Sequence, residues 1–369
     1  MKRIILSIIV LFAVAGAAFA QTSIDGLVSK DAKTMGMGGA FRTFSTGYAT
    51  FFGNPAGFAS SKGSLTFADI AAWVYIRPTE ANLEKIQQLM GPATSDSDKG
   101  KIINDFQAEN NGLGVGAAVG LGWAGRGFGL GLTMVSENYT DALKIKAMTQ
   151  MNGIIGLAFP IPLGPITLKI GLDGRAFLRT DSDGTWNLMD IMGGSSFDPA
   201  TLPIINGYGF AADAGAVLEL GPLMIGAAIR DFGLGFDVGH GTIQDVVDMK
   251  IPLAGTDPYM LDPKVYAGLG FKFALGKLLA PSIYAEVSDV EAVVADTNAF
   301  WTNFHAGAEL KLLNFIALRG GLNQGYYSIG AGIDLLFIEV DAAVFTEEVG
   351  LYAGNRPRSG IALQAAIRF

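Results

Sequence analysis

The chain has 369 residues, 50 glycines, no cysteine and a formal net charge of −8 at pH 7. The lack of cysteine excludes disulfides, thiolate metal sites and cysteine nucleophiles, and the acidic balance without a basic stripe excludes nucleic-acid binding. The mean hydropathy of +0.37 is high for a soluble enzyme, yet three prolines interrupt the longest uncharged stretch, 147–168. Because only helices and closed barrels satisfy their backbone groups in a bilayer, the composition predicts a transmembrane β-barrel.

The N-terminus has the pattern of a cleaved signal peptide. Two basic residues precede an apolar run from Ile4 to Ala18, and Ala18-Phe19-Ala20 supplies the small residues that a signal peptidase recognises. The run is shorter than the roughly twenty residues that a spanning helix needs. We therefore expect residues 1–20 to be removed and the mature chain to begin at Gln21, with no lipid anchor because no cysteine follows.

The next segment, 21–62, carries two glycine-containing motifs. Met35-Gly36-Met37-Gly38-Gly39-Ala40-Phe41 is followed by Asn54-Pro55-Ala56-Gly57-Phe58. This pair resembles the N-terminal signature of the FadL family, the long-chain fatty-acid and toluene transporters of the outer membrane. The resemblance implies a fourteen-stranded barrel whose N-terminal segment folds inward as a hatch. It also implies uptake of hydrophobic compounds and their sideways release through a gap at a kinked third strand.

The same segment is rich in aromatic side chains. Five phenylalanines fall within eighteen residues, namely Phe41, Phe44, Phe51, Phe52 and Phe58. They either pack the hatch or line a pocket, together with Asn54, Pro55, Ala56 and Gly57. A buried methylene contributes about 0.8 kcal/mol, so an acyl tail would gain free energy by leaving water for such a pocket.

Residues 63–369 contain fourteen segments in which apolar residues alternate with small or polar ones. This period of two is typical of strands with one face on lipid and the other on a lumen. The segments fall near 63–75, 111–123, 127–138, 146–160, 166–180, 207–220, 223–231, 263–275, 280–290, 300–312, 315–323, 326–336, 338–347 and 359–369. The predicted fold class is therefore all-β, an antiparallel transmembrane β-barrel of about 14 strands. The apolar face of the last strand ends at Phe369, which we expect the barrel-assembly machinery to recognise.

The connections alternate between tight turns and long loops, and the long ones lie near 76–110, 181–206 and 232–262. Short turns are typical of the periplasmic side and long loops of the extracellular side. In 76–110, Pro78 is placed to start a helix, and a stripe of apolar residues follows it. This helix is either a cap over the barrel mouth or a landing site for a lipid-like ligand.

Glycines share one face of the second and third predicted strands. The face comprises Gly112, Gly114, Gly116, Gly120 and Gly122, and it continues through Gly127, Gly129 and Gly131. If the opposite, apolar face contacts lipid, the inner wall here has almost no side chains. Such glycines either permit strong curvature or leave a hollow for a plug or a passage.

Strand parity also places charges in the lumen. Glu309 and Arg319 lie opposite each other if both face inward, whereas a charge at the middle of the lipid face would cost about 2–4 kcal/mol. The same parity applies to Lys169, Asp173, Arg175, Arg230, Glu286, Asp334 and Asp341. We interpret these residues as structural packing of the lumen.

The sequence offers little for catalysis. It has two histidines, His240 in a loop and His305 on a lumen face, where Ser288 could approach it. No orienting third group follows from the sequence. We expect no enzyme activity, no cofactor and no metal.

These observations predict passive uptake of long-chain fatty acids or similar hydrophobic small molecules across the outer membrane of a Gram-negative-type cell, with outer-membrane lipid around the barrel. One alternative is a barrel of the PorV-like branch, which acts as a partner in protein secretion or attachment. Another is a general aqueous porin, which a mixed-charge lumen permits.

Overall fold

The computed structural model describes residues 22–91, 94–141, 144–184, 186–187, 198–233, 235–250, 253–273, 278–313 and 315–369. The expected signal peptide and Gln21 lie outside these residues. Within the described ranges no helix is long and apolar enough to cross a membrane.

Strands account for most of the described chain. In chain order they are β1 (Thr22–Ile24), β2 (Ser64–Tyr75), β3 (Gly114–Gly125), β4 (Phe128–Asp141), β5 (Lys144–Leu163), β6 (Ile166–Ser182), β7 (Trp186–Asn187), β8 (Pro203–Leu220), β9 (Leu223–Gly233), β10 (Phe236–Thr242), β11 (Asp257–Leu261), β12 (Lys264–Lys272), β13 (Leu279–Val287), β14 (Phe304–Leu312), β15 (Ile316–Asn323), β16 (Tyr326–Leu335), β17 (Ile338–Glu348) and β18 (Pro357–Arg368). Short helical elements lie between them. The helices are α1 (Ala32–Gly36), α2 (Glu80–Met90), α3 (Asp96–Asn110), α4 (Ile243–Val247), α5 (Val290–Ala295) and α6 (Phe300–Asn303), and 3₁₀ turns cover Gly47–Phe52, Pro55–Ala59, Pro199–Thr201 and Thr297–Ala299.

Across the described residues, fourteen strands pair antiparallel and close into a barrel. The closing seam joins β18 to β2, where Leu65 and Phe369 exchange backbone hydrogen bonds of 2.9 and 2.8 Å. The four remaining strands, β1, β7, β10 and β11, are short. They extend the wall at the end of the barrel that carries the long loops, where β7 pairs with the start of β5 and β10 with the start of β8. The predicted all-β barrel of fourteen strands is therefore confirmed.

Several strand ends differ from the sequence prediction by three or four residues, and two of the differences have a local cause. The strand predicted from residue 111 begins at Gly114, because Asn111 and Gly112 have positive φ angles of 51° and 134° and form a turn. The strand predicted from residue 300 begins at Phe304, because residues 300–303 form α6. In α6 the Asn303 side chain donates a hydrogen bond to the Ala299 carbonyl, which stabilises the helical turn.

The two ends of the barrel are different. We call the end with the tight turns, such as 164–165, 221–222 and 336–337, the short-turn end, and the opposite one the long-loop end. Loop 76–110 holds α2 and α3 at the long-loop end. Thr79, not Pro78, caps α2 by accepting the Asn82 N–H, so the expected start at Pro78 is wrong by two residues.

The helical pair is anchored beside the barrel rim. Phe106 and Ile102 of α3 pack with Ile76 against Val74 and Ile361. Val74 and Ile361 lie directly opposite each other on β2 and β18, and their side chains are on the outward-facing side of these strands. Ile86 and Leu89 of the predicted apolar stripe also pack against this cluster, so the stripe attaches α2 to the barrel rim.

Candidate functional site: the N-terminal segment and the cavities beside it

Residues 22–62, which we call the N-terminal segment, lie against the inward-facing glycines of the barrel wall. A Cβ atom added at Gly131 would lie 2.6 Å from the Phe51 ring, and one at Gly129 would collide with the ring of Phe58. Since neither strand position has room for a side chain, the hollow predicted from the glycine face is filled by these aromatic rings.

The glycines predicted as a passage wall have different roles. Gly129 and Gly131 contact the N-terminal segment, whereas Gly114 and Gly116 are covered by Tyr139 and Trp73 of the neighbouring strands. Gly112 and Gly127 have φ angles of 134° and 88° and lie in turns, so they do not belong to the wall. Their glycine identity is explained by the backbone conformation.

The third barrel strand, β4, is paired along its whole length. It pairs with β3 from residue 128 to residue 139, and with β5 from residue 128 to residue 141, without an irregularity. The lateral gap that the FadL resemblance implies for this strand is therefore absent from the described structure. Irregular register lies elsewhere, between β2 and β3 at Thr66/Asp69, between β18 and β2 at Ile367/Arg368, and between β8 and β9 at Ala212/Ala214.

The five predicted phenylalanines are all buried and divide into two groups. Phe44, Phe51 and Phe58 pack on the wall, where Phe44 stacks on Tyr284 at a centroid distance of 5.7 Å. Phe41 and Phe52 line a narrow gap through the segment itself. Phe41 also contacts the Tyr284 ring of the wall edge-on at a centroid distance of 5.6 Å, so this residue both packs and lines the gap.

Asn54 ties the N-terminal segment to two barrel strands. Its side-chain amide donates to the carbonyls of Thr43 (3.0 Å), Ala216 (3.3 Å) and Ala227 (3.2 Å), and its oxygen accepts the Ala56 N–H at 2.9 Å. The barrel admits this side chain because Gly215 has no Cβ there. One amide therefore caps the following 3₁₀ turn and fixes it to β8 and β9.

The other residues of the motif are explained by close packing. Pro55 occupies the first turn of the 3₁₀ element, Ala56 and Phe58 are fully buried, and a Cβ at Gly57 would collide with the Ser45 carbonyl. A buried turn this tight tolerates no additional atoms. The Asn-Pro-Ala-Gly-Phe sequence is thus a docking element against the wall.

Lys30 makes a second attachment, which the sequence did not reveal. Its ammonium group donates to Glu137 of β4 (3.0 Å), to Glu347 of β17 (2.8 Å) and to the Tyr75 hydroxyl (2.5 Å). Arg358 completes the network through Glu347 at 2.7 Å. The signal available in the sequence was only a lysine between Ser29 and Asp31, because its two acidic partners lie more than a hundred positions away.

Ion pairs fill much of the remaining lumen. Glu309 lies opposite Arg319 in the register of β14 and β15, and their side chains are 2.7 Å apart. Arg319 also pairs with Asp341 at 2.5 Å, and Arg175 with Asp213 at 2.9 Å. These charges satisfy one another across the wall, as buried charges must.

Two cavities lie on opposite sides of the N-terminal segment. The long-loop cavity has a volume of about 570 Å³ and is lined by residues that include Lys30, Arg42 and Arg179. The short-turn cavity has a volume of about 300 Å³ and is lined by residues that include Lys33 and Phe52.

A gap of about 10 Å³, which we call the constriction, shares lining residues with both cavities. It shares Val28 and Arg42 with the long-loop cavity, and Ser29 and Phe52 with the short-turn cavity. This volume is about that of one water probe. The three spaces therefore mark an interrupted axial route in which the N-terminal segment forms the block.

A third recess lies outside, on the lipid-facing wall over β5, β6, β8 and β9. It measures about 890 Å³ and is lined by apolar side chains such as Leu172 and Ile229. On the inner side of the same wall, Pro55 contacts the backbone of Gly171. A single layer of backbone therefore separates the docking element from the outer surface of the barrel at this point.

The two histidines have different settings. His305 Nδ1 lies 2.9 Å from the Gly38 carbonyl and Nε2 lies 3.2 Å from Ser288 Oγ. The ring must donate to the carbonyl, so it accepts from the serine and helps to hold the N-terminal segment. The side chains of His305 and Ser288 therefore do meet. The group on the other ring nitrogen of His305 is the Gly38 carbonyl and not a carboxylate. That the chain is no enzyme stays a prediction.

His240 lies on β10, in the loop beyond the barrel rim. Its Nε2 is 2.8 Å from Asp257 and its Nδ1 is 2.6 Å from Asp183. Hydrogen bonds to Asp257 and then to Asp183 raise the pKa of His240 above its ordinary value. Both ring nitrogens can donate only when the imidazole is protonated, so this clasp between loops requires the charged ring.

Comparisons with known proteins support the fold. No family model matches the chain, and neither does any curated protein. Among solved structures, the CymD monoaromatic hydrocarbon channel matches with a TM-score of 0.53 and 13% identity, over 94% of this chain and 98% of that one.

Two further structures cover similar shares. The toluene transporter TbuX of Ralstonia pickettii has a TM-score of 0.49 and 12% identity, over 95% of this chain and 99% of its own. A FadL homologue of Pseudomonas aeruginosa has a TM-score of 0.45 and 12% identity, over 93% and 98%. The fold that the FadL resemblance implies is confirmed by the match to CymD.

Proposed function

We propose that the chain is an outer-membrane channel that admits hydrophobic small molecules, with long-chain fatty acids as one candidate class. One observation carries this proposal: the closed barrel holds a cavity on each side of an interior segment, and a constriction joins the two cavities. The fold that the chain shares with CymD, described as a monoaromatic hydrocarbon channel, is consistent with it.

The proposed route runs from the long-loop end to the short-turn end. In bacterial barrels long loops are extracellular and short turns periplasmic, so a substrate would enter the long-loop cavity first. Phe41 and Phe52 offer aromatic faces at the constriction. Because a gap of about 10 Å³ admits no organic molecule, the N-terminal segment must move during transport. The same blockage argues against a general porin.

The absence of cysteine from the chain permits a direct test by a disulfide lock. A Cβ built on Gly226 of β9 lies 2.6 Å from Thr43 Cγ2 in the N-terminal segment, so side chains at the two positions face each other, and a cysteine at position 43 removes the methyl group that this Cβ would meet. In Thr43→Cys/Gly226→Cys, oxidation should tie the segment to the wall. Uptake of labelled toluene and labelled oleate is measured in intact diderm cells that produce the protein.

The expected result is uptake that falls to background when the disulfide forms and returns after reduction with a phosphine. Thr43→Cys alone, treated in the same way, is the matched control. Equal uptake by oxidised and reduced protein would contradict a moving segment. Uptake at background for the parent chain, with both compounds, would contradict the channel itself and leave the secretion-partner alternative.

A further inference from the structure

Two cations of the N-terminal segment, Lys33 and Arg42, are half-buried and lack the acidic partner that most basic residues of the lumen have. Seven of the latter form ion pairs of 3.2 Å or less with acidic residues of the wall: Lys30, Arg175, Arg179, Arg230, Arg319, Arg358 and Arg368. Within the described ranges Lys62, Lys146 and Lys272 also make no ion pair, but these three are exposed. Among the described residues no carboxylate lies within 4.0 Å of the Lys33 ammonium or of the Arg42 guanidinium.

Lys33 faces the short-turn cavity. Its ammonium lies 4.8 Å from the centroid of the Phe41 ring, at the lower mouth of the constriction. The acidic groups nearby are already engaged, because Glu309 binds Arg319 at 2.7 Å and Asp334 binds Lys311 at 2.9 Å. Among the described residues, the face of the Phe41 ring is the one partner of the Lys33 ammonium. The N–H donors of the ammonium therefore make no hydrogen bond within the described part of the chain.

Arg42 faces both the long-loop cavity and the constriction. The carboxylate of Glu286 accepts the backbone N–H of Thr43 at 2.9 Å and makes no ion pair with the guanidinium. Asp31 also lines the constriction, but its carboxylate accepts the Thr34 N–H at 2.8 Å as the N-cap of α1. Arg42 thus presents a planar set of donors to the space above the narrow point.

An unpaired cation inside a protein costs several kcal/mol unless water or a ligand compensates it. This chain leaves two such cations at successive positions along the axial route, one above and one below the constriction. A neutral hydrocarbon would leave both unpaired, whereas an anion would pair with each in turn.

We propose that Arg42 and Lys33 are two successive binding positions for the anionic group of a small organic anion, one carboxylate on a short apolar or aromatic body. This inference rests on the proposed function and narrows its substrate class. The short-turn cavity of about 300 Å³ sets the size limit, since it lies at the small end of ligand-binding cavities. The rings of Phe41 and Phe52 would contact the apolar body while the carboxylate binds the cation.

The test compares benzoate with benzyl alcohol, which share a ring and differ in charge. Binding of each to the purified full chain is measured by calorimetry at pH 7 in a non-ionic detergent, with Lys33→Met, Arg42→Met and the charge-preserving Lys33→Arg. Lys62→Met is the matched control, because Lys62 is exposed and also lines the short-turn cavity. No methionine variant deprives an acidic residue of an ion pair, so heat-modifiable gel migration should show all of them folded.

The expected result is tighter binding of benzoate than of benzyl alcohol by the parent chain. The parent chain should bind benzoate at two positions, and Lys33→Met and Arg42→Met should each weaken one of them about tenfold, the effect of losing one charge-assisted hydrogen bond, while the other position still binds. Lys33→Arg and Lys62→Met should bind benzoate like the parent, and benzyl alcohol should bind equally to every variant. Equal affinity of the parent for the two compounds, or an equal loss in Lys62→Met, would overturn the inference. If uptake in cells still stopped when the disulfide between positions 43 and 226 formed, the proposed channel would stand although this inference had failed. Failure of the inference and failure of the proposed function are therefore distinguishable.

Discussion

Replacing Asn54 tests whether one amide holds the N-terminal segment in place. In Asn54→Ala the Thr43, Ala216 and Ala227 carbonyls lose a shared donor and the buried Ala56 N–H loses its acceptor. The barrel strands keep their own ladder, so the effect should be confined to docking of the segment. We expect the N-terminal segment to detach more often while the barrel stays closed.

The magnitude follows from the groups that are left without partners. A buried polar group without a hydrogen bond costs about 1–3 kcal/mol, and the donated bonds add somewhat less because strand carbonyls retain their ladder partners. We therefore expect docking to weaken by about 2–4 kcal/mol, which corresponds to about a 30- to 1000-fold change in the docking equilibrium. Asn54→Asp separates the contributions, because it keeps the acceptor for Ala56 and loses both donors.

The assay is permeation of a small sugar into proteoliposomes, combined with protease cleavage of the N-terminal segment. Asn54→Ala should raise both relative to the parent chain, and Asn54→Asp should give at least the same leakage because it places a carboxylate against carbonyl oxygens. Gel migration before and after heating reports barrel integrity. Wild-type protection and wild-type permeation in Asn54→Ala would refute the role assigned to this residue.

Three further outcomes are expected. Lys30→Met removes the nearer cation of Glu137, which keeps only Arg358 at 3.7 Å, and weakens the pairing of Glu347. The loss of about 3 kcal/mol should expose the N-terminal segment to protease, and adding Glu137→Gln should restore part of the protection. The clasp at His240 should contribute stability fully below the ordinary histidine pKa and lose it as pH rises through the raised pKa. Protection of the backbone amides near His240 and Asp257 against hydrogen exchange, taken relative to the intrinsic exchange rate at each pH, should therefore fall as pH rises, and His240→Gln should abolish that fall. Phe369→Ala removes the ring that stacks on Phe337, in the turn before β17, at a centroid distance of 5.8 Å. We therefore expect a smaller fraction of the protein to be membrane-inserted and heat-modifiable, and an unchanged fraction would contradict a role of this ring in assembly.

The sequence by itself determined the strands. Alternation with a period of two is a local property, and it located all fourteen barrel segments because lipid and lumen impose opposite demands on successive residues. Parity also placed Glu309 opposite Arg319, since a tight turn fixes the register of neighbouring strands. Positive φ at Gly112 and Gly127 escaped this reasoning, because a turn glycine and a wall glycine are identical in the sequence.

Only the tertiary structure decided what the N-terminal segment contacts. Lys30 pairs with Glu347 across 317 positions, and no local pattern specifies a partner at that distance. For the same reason the five phenylalanines could not be divided in advance into those that pack the wall and those that line the constriction. The unpaired state of Lys33 and Arg42 is likewise a property of the folded lumen, because whether a carboxylate lies within reach depends on how every other ion pair has formed.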